Sequence, residues 1–153
     1  MIPEQKHRTP MNKKEIALDC MKKEYNCAQS VLFAFAENAG LEKDTALKLA
    51  ACFGGGMRCG EVCGAVTGIL MAIGLKYGSS VPNDKTAQYP AYKKEMEFIK
   101  RFKEKHGTIL CRELIGMDVS GPKGMKEAVQ KGLHKTVCAN AILSAIEIAE
   151  ELI

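Results

Sequence analysis

The chain has 153 residues, 46% of them hydrophobic and 26% charged, with a net charge of +4. That size fits one domain with a real core. Its lysines and acids are mixed along most of the length, which argues against a nucleic-acid partner. Around the most apolar helix the longest uncharged run is the fourteen residues Val62–Leu75, too short to cross a bilayer. The first ten residues hold no apolar stretch of the secretory kind. These features predict a soluble, cytoplasmic chain without membrane insertion.

Residues 1–11 are expected to form a flexible arm, and 12–153 a single helical domain. Asn12 is a good N-cap for a helix whose inner stripe is Ile16, Ala17, Cys20 and Met21. Tyr25-Asn26 breaks it, and Asn26 caps a second helix over 27–39, apolar nearly all round and therefore central. Gly40 ends that helix. Asp44 caps a third, running through Cys52 and closed by Gly54-Gly55-Gly56. A fourth spans about 62–77. After a loop at 79–85 comes a long amphipathic helix near 87–106, with Tyr89, Tyr92, Met96, Ile99 and Phe102 at helical spacing. Pro90 places its start there or earlier. Short helices are expected at 111–115 and 125–133, and a last one over 135–152. His7 and His106 read as surface residues. No strand alternation appears, so the fold class is an all-α bundle of about six or seven helices. The apolar helices exceed what one small bundle needs, which allows a homodimer.

The stretch Cys52–Gly68 carries three of the seven cysteines and six of the fourteen glycines. The triglycine opens a loop, since residues without Cβ take positive φ freely. Gly60, Gly64 and Gly68 recur every fourth residue, so on a helix they make a flat strip that another backbone can approach. Cys59 and Cys63 share the same spacing. If the helix starts near Glu61, Cys63 sits in its first turn, where free N–H groups and the helix dipole favour a thiolate. Arg58 adds a fixed positive charge. Cys63 is accordingly expected to be the most reactive thiol. Cys20 and Cys52, on apolar stripes, should be the least reactive.

Seven is an odd number, so the cysteines cannot all pair within one chain, and in a reducing compartment a redox or metal role gains weight. Buried free cysteine acting as a small hydrophobe is the competing explanation for any one of them. Cys27, Cys63, Cys111 and Cys138 each fall in or beside an expected first turn of a helix. They are far apart in sequence, so only the fold could assemble them. No Cys-x-x-Cys occurs, which argues against a zinc ribbon or a thioredoxin-type pair. His134 lies four residues before Cys138, as an acid–base partner, a co-ligand or simply a solvated side chain. Arg58 and Arg112 sit beside motif cysteines and would stabilise a thiolate, bind an anion or stay on the surface.

The segments Tyr25-Asn26-Cys27-Ala28-Gln29-Ser30-Val31, Phe53-Gly54-Gly55-Gly56-Met57-Arg58 and Cys63-Gly64-Ala65-Val66-Thr67-Gly68, with Cys111-Arg112-Glu113-Leu114-Ile115-Gly116 and Cys138, resemble a known family. It is the C_GCAxxG_C_C family of proposed redox-active proteins, with four shared cysteines and a Cys-Gly-Ala-x-x-Gly motif. The resemblance covers roughly 15–149. It implies a small all-helical protein, redox-active through Cys27, Cys63, Cys111 and Cys138. Cys59 fits a variant of the glycine loop, and Cys20 and Cys52 fall outside the motif.

Three functions remain open on these residues. The first is dithiol–disulfide exchange or electron transfer, needing no cofactor, with Cys63 attacking and a second motif cysteine resolving. Its substrate would be a protein disulfide, a small thiol or a redox partner. The second is a metal site, zinc or an iron–sulfur cluster on Cys27, Cys63, Cys111 and Cys138. The third is a helical scaffold with inert cysteines. The first two require the four sulfurs to converge.

Overall fold

The helix starts are written locally. Asn12 and Asn26 each accept from the backbone N–H three residues on, and Glu15 and Gln29 each reach back to the cap's own N–H. Two reciprocal capping boxes therefore fix α1 (Lys13–Lys22) and α2 (Cys27–Phe35). In this computed structural model, which describes residues 9–153, six further α-helices follow: α3 (Lys43–Ala50), α4 (Gly64–Tyr77), α5 (Lys85–His106), α6 (Cys111–Ile115), α7 (Pro122–Gln130) and α8 (Ala139–Leu152). Two single π-type turns, Gly56–Gly60 and His134–Cys138, precede α4 and α8. The described residues contain no strand, only an isolated antiparallel bridge between Val62 and Leu110. No helix among them is long and apolar enough to cross a membrane. The expected arm at 1–11 falls, over 1–8 and with His7, outside the described residues.

α2 and α4 form the centre. A Cβ added at Gly68 would lie 3.0 Å from the Ala28 carbonyl oxygen and 3.1 Å from Val31, and one at Gly64 would fall on the Cys27 sulfur. The glycine strip thus lets the two backbones approach more closely than any side chain would permit. Gly60 is not part of it. It lies in the loop at φ +71°, facing Arg112. α1, α5 and α8 close the core around Val31, Leu32, Phe35, Ile69, Ile73, Phe98, Phe102, Ile142 and Ile146. A smaller apolar cluster of Cys111, Val119 and Ala128, backed by Ile115, Met117, Met125 and Leu133, joins α6 and α7 to the side of the bundle.

Several expectations change. α2 stops at Phe35, because 36–40 tighten into turns that end at Gly40, φ +68°. Glu42, not Asp44, caps α3, accepting from Asp44 and Thr45 N–H, and α3 ends at Ala50 and leaves Cys52 exposed. α5 begins at Lys85, capped by Asp84. It buries Ala91, Phe98 and Phe102, while Tyr89, Tyr92 and Met96 are more than half exposed. Of the expected stripe, Phe102 is buried and Ile99 packs against the core, and Ala91 and Phe98 complete the inner face in place of the tyrosines and Met96. His106 is half-buried rather than on the surface, stacked on Phe102 with ring centroids 4.4 Å apart. α7 starts earlier than expected, with Pro122 in its first turn, where the missing N–H costs nothing.

Candidate functional site

Cys27 is the first residue of α2, and Cys63 is the N-cap of α4. The close packing of these helices at Gly64 brings the two N-termini together, so that the Cys27 sulfur lies against the start of α4 and both thiols line the same space. The main-chain N–H groups of Gly55, Ala28 and Gly64 also converge on that sulfur. Gly55 is available because residues 55–58 all adopt left-handed backbone, Met57 and Arg58 included, with φ of 59° and 61°. Each non-glycine residue held there costs about 1–2 kcal/mol. That turn folds the glycine loop over the sulfur, with Gly54 against Asn26 and Gly55 against Met125. The Asn26 side-chain N–H donates to the Ala51 carbonyl at 3.0 Å and holds the loop's base to the start of α2.

The bridge between Val62 and Leu110 delivers the third cysteine. Cys63 N–H donates to the Ile109 carbonyl at 2.8 Å, and Cys111 N–H to the Glu61 carbonyl at 2.7 Å. Arg112 reinforces the junction, donating to the Glu61 carboxylate at 2.7 Å and to the Gly60 carbonyl at 3.3 Å. Cys138 enters from the π turn ahead of α8. All four motif cysteines line one cavity of about 590 Å³, together with Arg58 and His134. The cavity lies where the main core meets the α6–α7 cluster.

The electrostatics reverse one expectation. Cys27, not Cys63, carries the lowered pKa. The hydrogen bond from Cys63 and the three backbone N–H groups bring it from 9.0 to about 6, although burial opposes them. Cys63 goes the other way, well above an ordinary thiol. Its proton is committed to Cys27, its sulfur is desolvated, and the neighbouring thiolate repels a second charge. The N-cap position has one backbone donor to offer it, Ala65, against three for Cys27. The donor count decides which sulfur holds the charge.

Cys111 is raised to about 11 by burial and then by the charge on Cys27, and Cys138 to about 12 by burial, then by Cys27 and Cys111. Cys138 departs from the expected pattern, because its backbone is αR and continuous with α8, so it faces no free helix N-terminus. Cys111 begins a helix of only five residues, too short for much dipole. Burial lowers the pKa of His134, with Lys135 adding to the effect, so its imidazole is neutral near pH 7.

The remaining expected site residues fall into place around this core. Arg58 is exposed at the cavity rim, and the charge on Cys27 is held by the Cys63 thiol and backbone amides instead. Cys59 is exposed, its thiol donating to the Gly56 carbonyl at 3.2 Å, and does not line the cavity. Gly68 serves the α2–α4 contact alone. Cys20 is buried with a raised pKa, from desolvation and then Asp19, as expected, whereas Cys52 is exposed and its expected burial is overturned. Among the described residues no three His, Cys, Asp or Glu side chains gather closely enough to hold a metal ion. The four thiols share a cavity, but as placed they do not form a ligand set. Sequence reasoning did not rank Cys27 above the other motif cysteines. The usable signal was its place directly after the capping asparagine, opposite a triglycine.

These features define a class: an all-helical protein whose cysteines, from four separate segments, meet at one cavity around a buried thiol pair. Residues 25–152 match the family described as "Putative redox-active protein (C_GCAxxG_C_C)", and the chain belongs to that family. No curated protein and no solved structure matches it.

Proposed function

We propose that Cys27 and Cys63 form a redox dithiol, with Cys27 attacking and Cys63 resolving. The observation that carries this is their juxtaposition: both line one cavity at two abutting helix N-termini, with the Cys27 sulfur where a Cβ on Gly64, next to Cys63, would fall. Cys27 thiolate attacks one sulfur of a disulfide R–S–S–R, forming Cys27–S–S–R and releasing RS⁻. Cys63 then attacks the Cys27 sulfur, forming the Cys27–Cys63 bridge. The second RS⁻ leaves, and the Cys63 proton passes to a departing thiolate. Two electrons go from the protein to the disulfide, which leaves as one thiol and one thiolate. Cys111 and Cys138, both protonated near pH 7, face the same space without contributing a nucleophile.

The test is peptide mapping without reductant after mild oxidation. The expected product is a Cys27–Cys63 cross-link, and, when the oxidant is a small disulfide, Cys63→Ser should leave Cys27 trapped as a stable mixed disulfide. A bridge confined to other cysteines, or no bridge at all, would reject the proposal.

A further inference from the structure

We infer that the cavity selects a small anionic disulfide, rather than a protein disulfide or a cationic one. The inference rests on the Cys27–Cys63 reading and names its substrate.

Size is the first argument. Cys27 is 8% and Cys63 6% exposed. A folded partner could not bring its disulfide onto sulfurs this deep without opening the α6–α7 cluster. The cavity of about 590 Å³ is in the usual range for a small-molecule site, roughly 300–1,000 Å³. Its walls are largely apolar, with Met21, Leu114, Met125 and Val137 suited to the body of such a molecule.

Charge is the second. Lys22, Arg58 and Lys135 stand exposed around the opening, against one carboxylate, Glu24. Among the described residues, none of these three cations is ion-paired. They come from α1, the left-handed turn and the π turn before α8, so three separate elements contribute positive charge to the cavity's lining. Exposed charges at this range are screened over a Debye length of about 10 Å at 0.1 M salt. They therefore act mainly on the rate of capture, and salt should weaken them. The chemistry is the exchange above with R carrying a carboxylate: one R–S–S–R is consumed, two R–S sulfurs leave as thiol and thiolate, and one Cys27–Cys63 bridge forms.

The experiment mixes the reduced 153-residue chain with three aliphatic disulfides in stopped flow: dithiodipropionate (anionic), bis(2-hydroxyethyl) disulfide (neutral) and cystamine (cationic). Each rate of bridge formation is divided by that disulfide's rate with a free small thiol. At low ionic strength the anionic disulfide should lead the neutral one by about tenfold, with the cationic one slowest. The order should flatten at high salt. In Lys22→Glu with Lys135→Glu the anionic-to-neutral ratio should fall to one or below, circular dichroism verifying the fold. Equal normalised rates, or faster reduction of a folded protein's disulfide, would overturn the inference and leave the redox pair intact. Bridge formation with a chemical oxidant but with none of the three disulfides would do the same. Failure of the bridge under every oxidant would instead reject the underlying reading.

Discussion

A thiolate buried among apolar side chains survives only if other groups replace its water. Cys27 has four such groups: the Cys63 thiol and the N–H groups of Gly55, Ala28 and Gly64. Removing the Cys63 donor with Cys63→Ala should raise the Cys27 pKa from about 6 back toward an ordinary thiol. Site-resolved alkylation against pH, read by mass spectrometry on reduced protein, measures this directly. In the unmodified chain Cys27 should react fastest at pH 7, with Cys63, Cys111 and Cys138 trailing until well above pH 9. A Cys27 profile unchanged by Cys63→Ala would show that the backbone amides act alone. Arg58, which looked in the sequence like the natural charge partner for a thiolate, should matter little to that profile.

At the level of elements, the two glycines of α4 have separable roles. Both lie against α2, but a Cβ at Gly64 meets the Cys27 sulfur and the Ala28 nitrogen, whereas one at Gly68 meets the Ala28 carbonyl and Val31. Each alanine substitution overpacks a tight seam and should cost about 1–3 kcal/mol. Only Gly64→Ala should also slow alkylation of Cys27, because it displaces the sulfur from its amide donors. Equal slowing by both variants would mean that the helix contact as a whole, not the glycine beneath the sulfur, sets the reactivity. The strip itself was legible in the sequence, since spacing by four needs no tertiary knowledge, and so were the caps at Asn12 and Asn26. What lies across the strip was not legible. The register of α2 on α4 is a long-range contact, and it decides that Cys27 receives three amides and Cys63 one. The inner face of α5 was legible at Ile99 and Phe102 and not nearer its start, where packing against α4 and α8 chose Ala91 and Phe98 over Tyr89, Tyr92 and Met96.

Across the whole molecule, the site is a joint between two apolar clusters, and oxidation would tie that joint from within. A Cys27–Cys63 bridge closes the chain over residues 27–63, a loop that the chain-entropy argument values at about 4 kcal/mol. The reduced state has its own advantage, the stabilised thiolate. Because the folded pKa of Cys27 lies below its unfolded value of 9.0, that contribution is fully present above pH 9 and is lost as pH falls through about 6. Near pH 7 it spans about one pKa unit, on the order of 1 kcal/mol. Loop closure outweighs it there, so the oxidised protein should be the more stable form in urea at pH 7. Raising the pH from 6 to 9 strengthens only the reduced form, since the bridge has no proton to lose. The stability gap between the two forms should therefore narrow steadily over that interval. Above pH 9 the trend should reverse, because Cys63, whose folded pKa is raised, keeps its proton while the unfolded chain sheds one. Paired urea titrations of oxidised and reduced protein at pH 6, 7, 8 and 9 measure the gap. A gap that stays constant with pH would mean that Cys27 holds no thiolate in the folded state. A reduced form that is already the more stable at pH 7 would mean that the bridge strains the seam between α2 and α4.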